Sequence, residues 1–124
     1  MDSSSFENDI NSDYHLVFIF TGTDDNHYNH SITHHWIVLY KNYYFDPYSR
    51  DYNLDFNKIK LQPKQIEEYG ATVCGEYAVL FALFAQSFTG NIADVGIKFC
   101  DYYGFTNDLK KNDMICLAEY KSKK

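Results

Sequence analysis

One stretch of the sequence constrains the fold more than any other: residues 74–88, which begin at Cys74 and are apolar on nearly every helical face. The length of this stretch and its alanine content favour a helix over a strand. A helix that is apolar all round has to lie in the middle of a fold. We therefore predict a central, buried helix over 74–88, which Thr89 and Gly90 end.

Segments upstream of this helix predict a small sheet. Three of them are rich in β-branched and aromatic side chains and predict strands: residues 15–20, 35–40 and 43–46. The two-residue turn Lys41-Asn42 joins the second strand to the third as a hairpin, and Pro47 stops ladder pairing after it. Polar stretches without a period predict a flexible arm over 1–13 and loops over 21–33 and 48–70, the last with a short strand or turn near 59–61.

Two further helices are expected after the central one. The first covers residues 92–103 and closes near Gly104, and the second has Thr106 or Asn107 as its cap and runs to about Tyr120. Strands followed by helices favour an α+β fold, in which the helices pack on an antiparallel sheet. A length of 124 residues fits a single domain over the whole chain.

Charge and cysteine content narrow the classes of function. The net charge is −6, and the C-terminal lysine tail, which we interpret as a solvated end, is the one basic cluster, so a nucleic-acid binder is not expected. Three cysteines without C-x-x-C spacing argue against a disulfide framework or a structural zinc site. With no signal-peptide pattern and no apolar run long enough to span a bilayer, we expect an intracellular, reducing location and no membrane partner.

Cys74 stands where a loop becomes the central helix. Backbone N–H groups and the positive end of the helix dipole would then point at its sulfur and favour thiolate over thiol. Gly75 would leave space for a substrate to approach that sulfur. The alternative is a small buried hydrophobic residue that happens to begin a helix, since free cysteines are commonly buried.

A histidine and an aspartate occur on the two strands of the predicted hairpin. His35 begins its strand, and with the turn centred between residues 41 and 42, Asp46 lies opposite about position 37, near the His35 end. A carboxylate there could accept the imidazole N–H, fix its tautomer and support the imidazolium. The alternatives are an ordinary surface or core histidine and an Asp-Pro turn.

Together these residues supply the parts of a thiol hydrolase: a cysteine heading a buried helix, a histidine on a strand and an aspartate on the neighbouring strand. The motifs that carry them resemble those of the adenovirus-endopeptidase and SUMO-protease family: His34-His35-Trp36-Ile37-Val38-Leu39-Tyr40, Tyr44-Phe45-Asp46-Pro47 and Cys74-Gly75-Glu76-Tyr77. The order His, Asp, Cys is that of the family. The resemblance covers about residues 15–90.

The resemblance implies a cysteine endopeptidase that needs no cofactor. Cys74 would be the nucleophile, His35 the general base and later the acid, and Asp46 the residue that orients His35. Trp36 would form a wall of a narrow channel for glycine-containing tails, with a plain core aromatic as the alternative. Because Trp36 is the only tryptophan, the two-tryptophan channel of the SUMO proteases is not available. This favours a small viral or virus-derived maturation protease acting on a protein or peptide with glycine near the cleaved bond.

The chain departs from the family at the residue expected to donate to the oxyanion. The family has a glutamine six or seven residues before Cys-Gly, where this chain has Glu67 and Glu68. We favour Gln65 as the donor, with a protonated glutamate such as Glu68, or the backbone N–H of Cys74 alone, as alternatives. Losing one such donor typically costs about 100- to 1000-fold in turnover. Gln62 and Gln65 are otherwise expected to be exposed loop residues.

Other interpretations stay open. Histidines and aspartates crowd the region before and at the start of the second strand: Asp24, Asp25, His27, His30, His34 and His35. Their spacing fits no structural zinc motif, so we expect a solvated loop or a pH-responsive rim of the cleft and no metal. The alternative functions are a deubiquitinase- or deSUMOylase-like isopeptidase, a non-catalytic relative that binds a peptide or ubiquitin-like tail, and an unrelated small α+β domain. DNA or a peptide remains open as an activator.

Overall fold

The computed structural model describes residues 13–20, 34–49, 58–68 and 73–123. Within these ranges, only the backbone of residues 16–20 and 34–35 is described. The predicted arm before residue 13, the loop 21–33 and part of the predicted loop 48–70 lie outside the described residues.

A four-stranded sheet forms one layer of the fold. Its strands follow the chain in the order β1-β2-β3-β4, with these bounds: β1 Tyr14–Phe20, β2 His34–Tyr40, β3 Tyr43–Phe45 and β4 Ile59–Lys60. The first three strands pair antiparallel, as predicted, whereas β4 runs parallel to β3. The sheet is therefore mixed, because the chain between β3 and β4 is long enough for the crossover that a parallel pair requires.

The hairpin register agrees with the sequence prediction. Val38 lies opposite Phe45 and Tyr40 opposite Tyr43, so continuing the ladder by one position places Asp46 opposite Ile37. The strand ends at Phe45, one residue before the predicted limit. It ends there because Asp46 begins a turn, in which its carbonyl accepts the N–H of Ser49 at 2.8 Å.

Three α-helices and one short 3₁₀ turn form the second layer, with these bounds: α1 Cys74–Gln86, the 3₁₀ turn Ile92–Asp94, α2 Val95–Tyr103 and α3 Leu109–Ser122. Gly104 ends α2 in the left-handed conformation with φ 76°, as predicted. The predicted cap of α3 is wrong, because Asp108 caps it and accepts the N–H of Lys111 at 3.2 Å. Thr106 lies two residues earlier, and its hydroxyl accepts the N–H of Asp108.

Helix α1 lies at the centre of the fold. Its residues 77–82 are completely buried, and it contacts β1, β2, α2 and α3. The ring of Phe81 stacks on Phe45 of the sheet at 4.1 Å between centroids, and Phe99 of α2 meets both rings edge-on. This burial on every side confirms the prediction of a central helix.

Residues 61–68 tie the sheet to the N-terminal end of α1. Leu61 donates its N–H to Tyr44 at 2.8 Å. The carbonyl of Ile66 accepts the Tyr77 hydroxyl at 3.2 Å and the Asn112 amide at 3.0 Å. Because Asn112 is completely buried and bonded on both sides of its amide, this segment is fixed relative to α1 and α3.

Within the described part of the chain, no helix is long and apolar enough to cross a membrane. The same residues contain no group of three or more histidine, cysteine or acidic side chains suited to a metal ion. The three cysteines, Cys74, Cys100 and Cys116, are free thiols.

Candidate functional site

Cys74 is the first residue of α1, and its sulfur is held against strand β2. The residue is 9% exposed, and its Sγ accepts the backbone N–H of Trp36 at 3.3 Å. The sulfur is therefore one hydrogen bond away from the peptide unit that joins His35 to Trp36. This contact links the two motifs that the sequence placed 38 residues apart.

The hairpin geometry explains why this N–H is available. The pair of Tyr40 and Tyr43 closes a two-residue turn, so alternation directs the N–H groups of Val38 and Trp36 toward the side on which β3 lies. The residue opposite Trp36 in this register is Pro47, whose carbonyl instead accepts the N–H groups of Ile66 and Glu67, at 2.8 and 3.2 Å. The sulfur of Cys74 occupies the vacated ladder position.

His35 lies in β2, with its Cα opposite Ile19 of β1. Its imidazole lies outside the described part of the structure, so the contact between this ring and the Cys74 sulfur stays a prediction. The backbone of His35 directly precedes the N–H that bonds the sulfur. Strand alternation places positions 35, 37 and 46 on one face of the sheet.

Asp46 is completely buried directly after β3. Its Oδ1 accepts the N–H of Tyr48 at 2.8 Å, and its carbonyl accepts the N–H of Ser49. Asp46 therefore does start an Asp-Pro turn, the alternative that the sequence offered. The predicted role of Asp46 in orienting His35 stays a prediction.

The two predicted channel residues also have structural tasks. Trp36 is half-buried and packs against the hydrophobic core, which agrees with the core-aromatic alternative and leaves the channel role a prediction. Gly75 is buried as the second residue of α1, and its backbone N–H lowers the pKa of the Cys74 thiol.

The expectation of a stabilised thiolate at Cys74 is wrong for the resting site. Burial raises the pKa of the thiol to about 12, and the carboxyls of Glu67 and Glu76 act in the same direction. The N–H groups of Trp36 and Gly75 lower it but do not outweigh the loss of solvent. Cys74 is therefore a neutral thiol at pH 7, and a base has to remove its proton for it to become a nucleophile.

Glu67 is a component of the site whose burial the sequence did not predict. It is 0% exposed, and its Oε2 accepts the N–H of Val73 at 3.1 Å, directly before Cys74. Burial raises the pKa of this carboxyl to about 9, with smaller contributions from Asp113 and Asp46. Its spacing of seven residues before Cys74 was the sequence signal that it belongs to the site. Its burial was not expected, because glutamates ordinarily lie at the surface.

The other residues considered as oxyanion donors lie in the same segment as Glu67. The amide of Gln65 donates to the carbonyl of Glu67 at 2.8 Å. Glu68 is half-buried, and its backbone N–H faces the carboxylate of Asp113 at 3.4 Å. Gln62 is buried rather than exposed, and its amide bonds to Lys64 and to Cys100 on α2. The roles of Gln65 and Glu68 in the oxyanion hole stay predictions.

Comparisons of the chain with family models, with curated proteins and with solved structures found no match. The functional interpretation therefore depends on the geometry around Cys74 and on the resemblance of its motifs.

Proposed function

We propose that this chain is a cysteine endopeptidase in which Cys74 is the nucleophile, His35 the general base and Asp46 the residue that orients His35. The observation that carries the proposal is the 3.3 Å hydrogen bond from the Trp36 N–H to the Cys74 sulfur. It anchors a thiol at the N-terminal end of a buried helix beside the backbone of a histidine. Asp46, buried near the same end of the hairpin, supplies the third group.

In the proposed reaction, His35 takes the thiol proton as the sulfur attacks the substrate carbonyl carbon. A C–S bond forms, and the π electrons of the carbonyl move to its oxygen. The oxyanion collapses with cleavage of the C–N bond, and the imidazolium gives its proton to the leaving amine. Water then attacks the thioester, His35 accepts a proton from it, and the C–S bond breaks to release the acid and restore the thiol.

Because the pKa of the Cys74 thiol is raised, His35 has to remove the thiol proton during the reaction, a step that an enzyme with a resting thiolate does not need. Because the neutral thiol is a weak nucleophile, proton removal by His35 has to accompany attack. The substrate that we propose is a protein or peptide with glycine next to the cleaved bond, since the family that the motifs resemble accepts such tails. Maturation of viral structural proteins is the process that this resemblance favours.

A second candidate is a non-catalytic relative that binds a peptide or ubiquitin-like tail. The observation in its favour is the high pKa of Cys74, which burial raises to about 12 and which would leave a thiol inert if no base acted on it. The two candidates differ in one outcome, because only the enzyme forms a covalent bond through Cys74.

The proposal is tested by incubating the protein with a Gly-Gly peptide that ends in a vinyl methyl ester and mapping the adducts by mass spectrometry. We expect the Cys74 adduct to form faster than that of Cys100, although Cys100 is the more exposed of the two. Exposure alone predicts the opposite order. Modification of Cys100 at an equal or higher rate would reject Cys74 as the nucleophile, and peptide binding without any adduct would favour the non-catalytic candidate.

A further inference from the structure

Glu67 is a fully buried carboxyl beside the proposed nucleophile, and the proposed triad gives it no task. Its Oε2 is held by the N–H of Val73 at 3.1 Å. Its Oε1 is buried and has no hydrogen-bond partner within the described part of the chain. A buried polar atom without a partner is costly and calls for an explanation.

The protonation state of Glu67 decides whether Oε1 is a hydrogen-bond donor or an acceptor. Burial raises the pKa of the carboxyl to about 9, so it keeps its proton at neutral pH. Because Oε2 accepts the Val73 N–H, the proton belongs on Oε1. The unpartnered atom is therefore an O–H donor that points at no acceptor of the described chain.

The ionisable groups around Glu67 come from three elements, and all of them are acids that become negative when they lose a proton. The ionisable neighbours are acids from the end of β3, from α1 and from α3: Asp46, Cys74, Glu76, Tyr77, Asp113 and Cys116. Burial, followed by the carboxyls of Asp113, Asp46 and Glu76, opposes ionisation of Glu67, so the neutral carboxyl is the form that fits these surroundings.

We infer that the protonated carboxyl of Glu67 is a hydrogen-bond donor to the oxyanion that forms when Cys74 attacks, acting beside the backbone N–H of Cys74. The inference rests on the proposed function. The first N–H groups of a helix have no partner within it, so the N–H of Cys74 is available to the same oxygen. The Val73 contact holds Glu67 next to that position. The carboxyl donates a hydrogen bond and keeps its proton throughout the step.

Two reactions of Cys74 distinguish the effect of an oxyanion donor from the reactivity of the Cys74 sulfur. Alkylation by iodoacetamide displaces iodide and forms no oxyanion, whereas acylation by p-nitrophenyl acetate passes through a tetrahedral oxyanion before p-nitrophenolate leaves. Mass spectrometry resolved to Cys74 gives both rates in the wild type, in Glu67→Gln and in Glu67→Met. Both reactions need the Cys74 thiolate, so dividing the acylation rate by the alkylation rate removes the dependence on the fraction of thiolate. The remaining differences in this ratio measure stabilisation of the oxyanion by residue 67.

We expect Glu67→Gln to keep the wild-type ratio within about threefold, because an amide N–H replaces the O–H. Glu67→Met, which has a similar length and no donor, should lower the ratio by about 100- to 1000-fold. The wild-type ratio should fall as the pH rises through about 9, where the carboxyl loses its proton. The ratio in Glu67→Gln should not fall there.

An unchanged ratio in Glu67→Met would overturn the inference and leave the proposed function standing, since Cys74 would still be acylated. Equal losses of both reactions would also overturn it, because Glu67 would then support the fold or the sulfur only. If Glu67→Met does not fold, the pH dependence of the wild type and of Glu67→Gln decides the question. Alkylation of wild-type Cys74 without any acylation would instead reject the proposed function.

Discussion

Cys74→Ala should abolish hydrolysis of a fluorogenic Gly-Gly-aminomethylcoumarin peptide, and His35→Ala should lower its kcat by about 1000-fold or more. The alanine at position 74 removes the attacking sulfur, and the alanine at position 35 removes the group that must take a proton from a thiol whose pKa burial raises to about 12. The double variant should be no slower than Cys74→Ala alone, because the two groups act as one unit.

Cys100→Ala is the matched control for this experiment. Cys100 lies on α2, where its sulfur is 3.4 Å from the amide nitrogen of Gln62. Its removal should leave kcat within about twofold of the wild type, since Cys100 has no role in the proposed reaction. Peptide cleavage that persists in Cys74→Ala, with Cys100 or Cys116 supplying the adduct, would contradict the assignment of the nucleophile.

Glu67→Gln should stabilise the protein by about 3 kcal/mol at pH 7, because burial raises the pKa of Glu67 from 4.5 to about 9. The unfolded chain loses this proton above about pH 4.5, whereas the folded chain keeps it until about pH 9. The free energy of unfolding contributed by Glu67 therefore falls as the pH rises through this window, by about 1.4 kcal/mol per pH unit. A glutamine has no proton to lose and removes this dependence.

Urea unfolding at pH 4, 7 and 9 gives the free energy of unfolding of the wild type and of Glu67→Gln. The difference between the two proteins at each pH measures this effect, because the titration of the other groups contributes equally to both. We expect the two proteins to be nearly equal at pH 4 and to diverge as the pH rises. Glu68→Gln, the same chemical change at the adjacent half-buried residue, controls for the loss of a carboxyl as such. A difference between wild type and Glu67→Gln that stays constant across these pH values would show that Glu67 is not buried as a neutral acid.

Much of the fold could be predicted because each element has a local signature. The uniform apolarity of residues 74–88 placed the central helix, and the turn at Lys41-Asn42 fixed the register that puts Asp46 opposite Ile37. The parallel pairing of β4 could not be predicted, because it depends on contacts between distant segments. The N–H of Ile59 bonds to Asn42 at 2.7 Å, and no local pattern specifies that bond.

The candidate site was predictable in its residues and less so in its electrostatics. A helix N-terminus lowers a thiol pKa in solvent, but the sequence does not report how much water the fold removes from Cys74. Burial of Glu67 depends on Pro47, whose carbonyl accepts its N–H, and on Val73, which donates to its carboxyl. Both contacts join segments that only the folded chain brings together.

The distance between the Cys74 sulfur and the nearer imidazole nitrogen of His35 in a crystal structure tests the central claim most directly. The account predicts a separation of about 4 Å or less, because a base has to reach the thiol proton directly or nearly so. A separation of more than about 8 Å, with no side-chain rotation able to close it, would contradict the account.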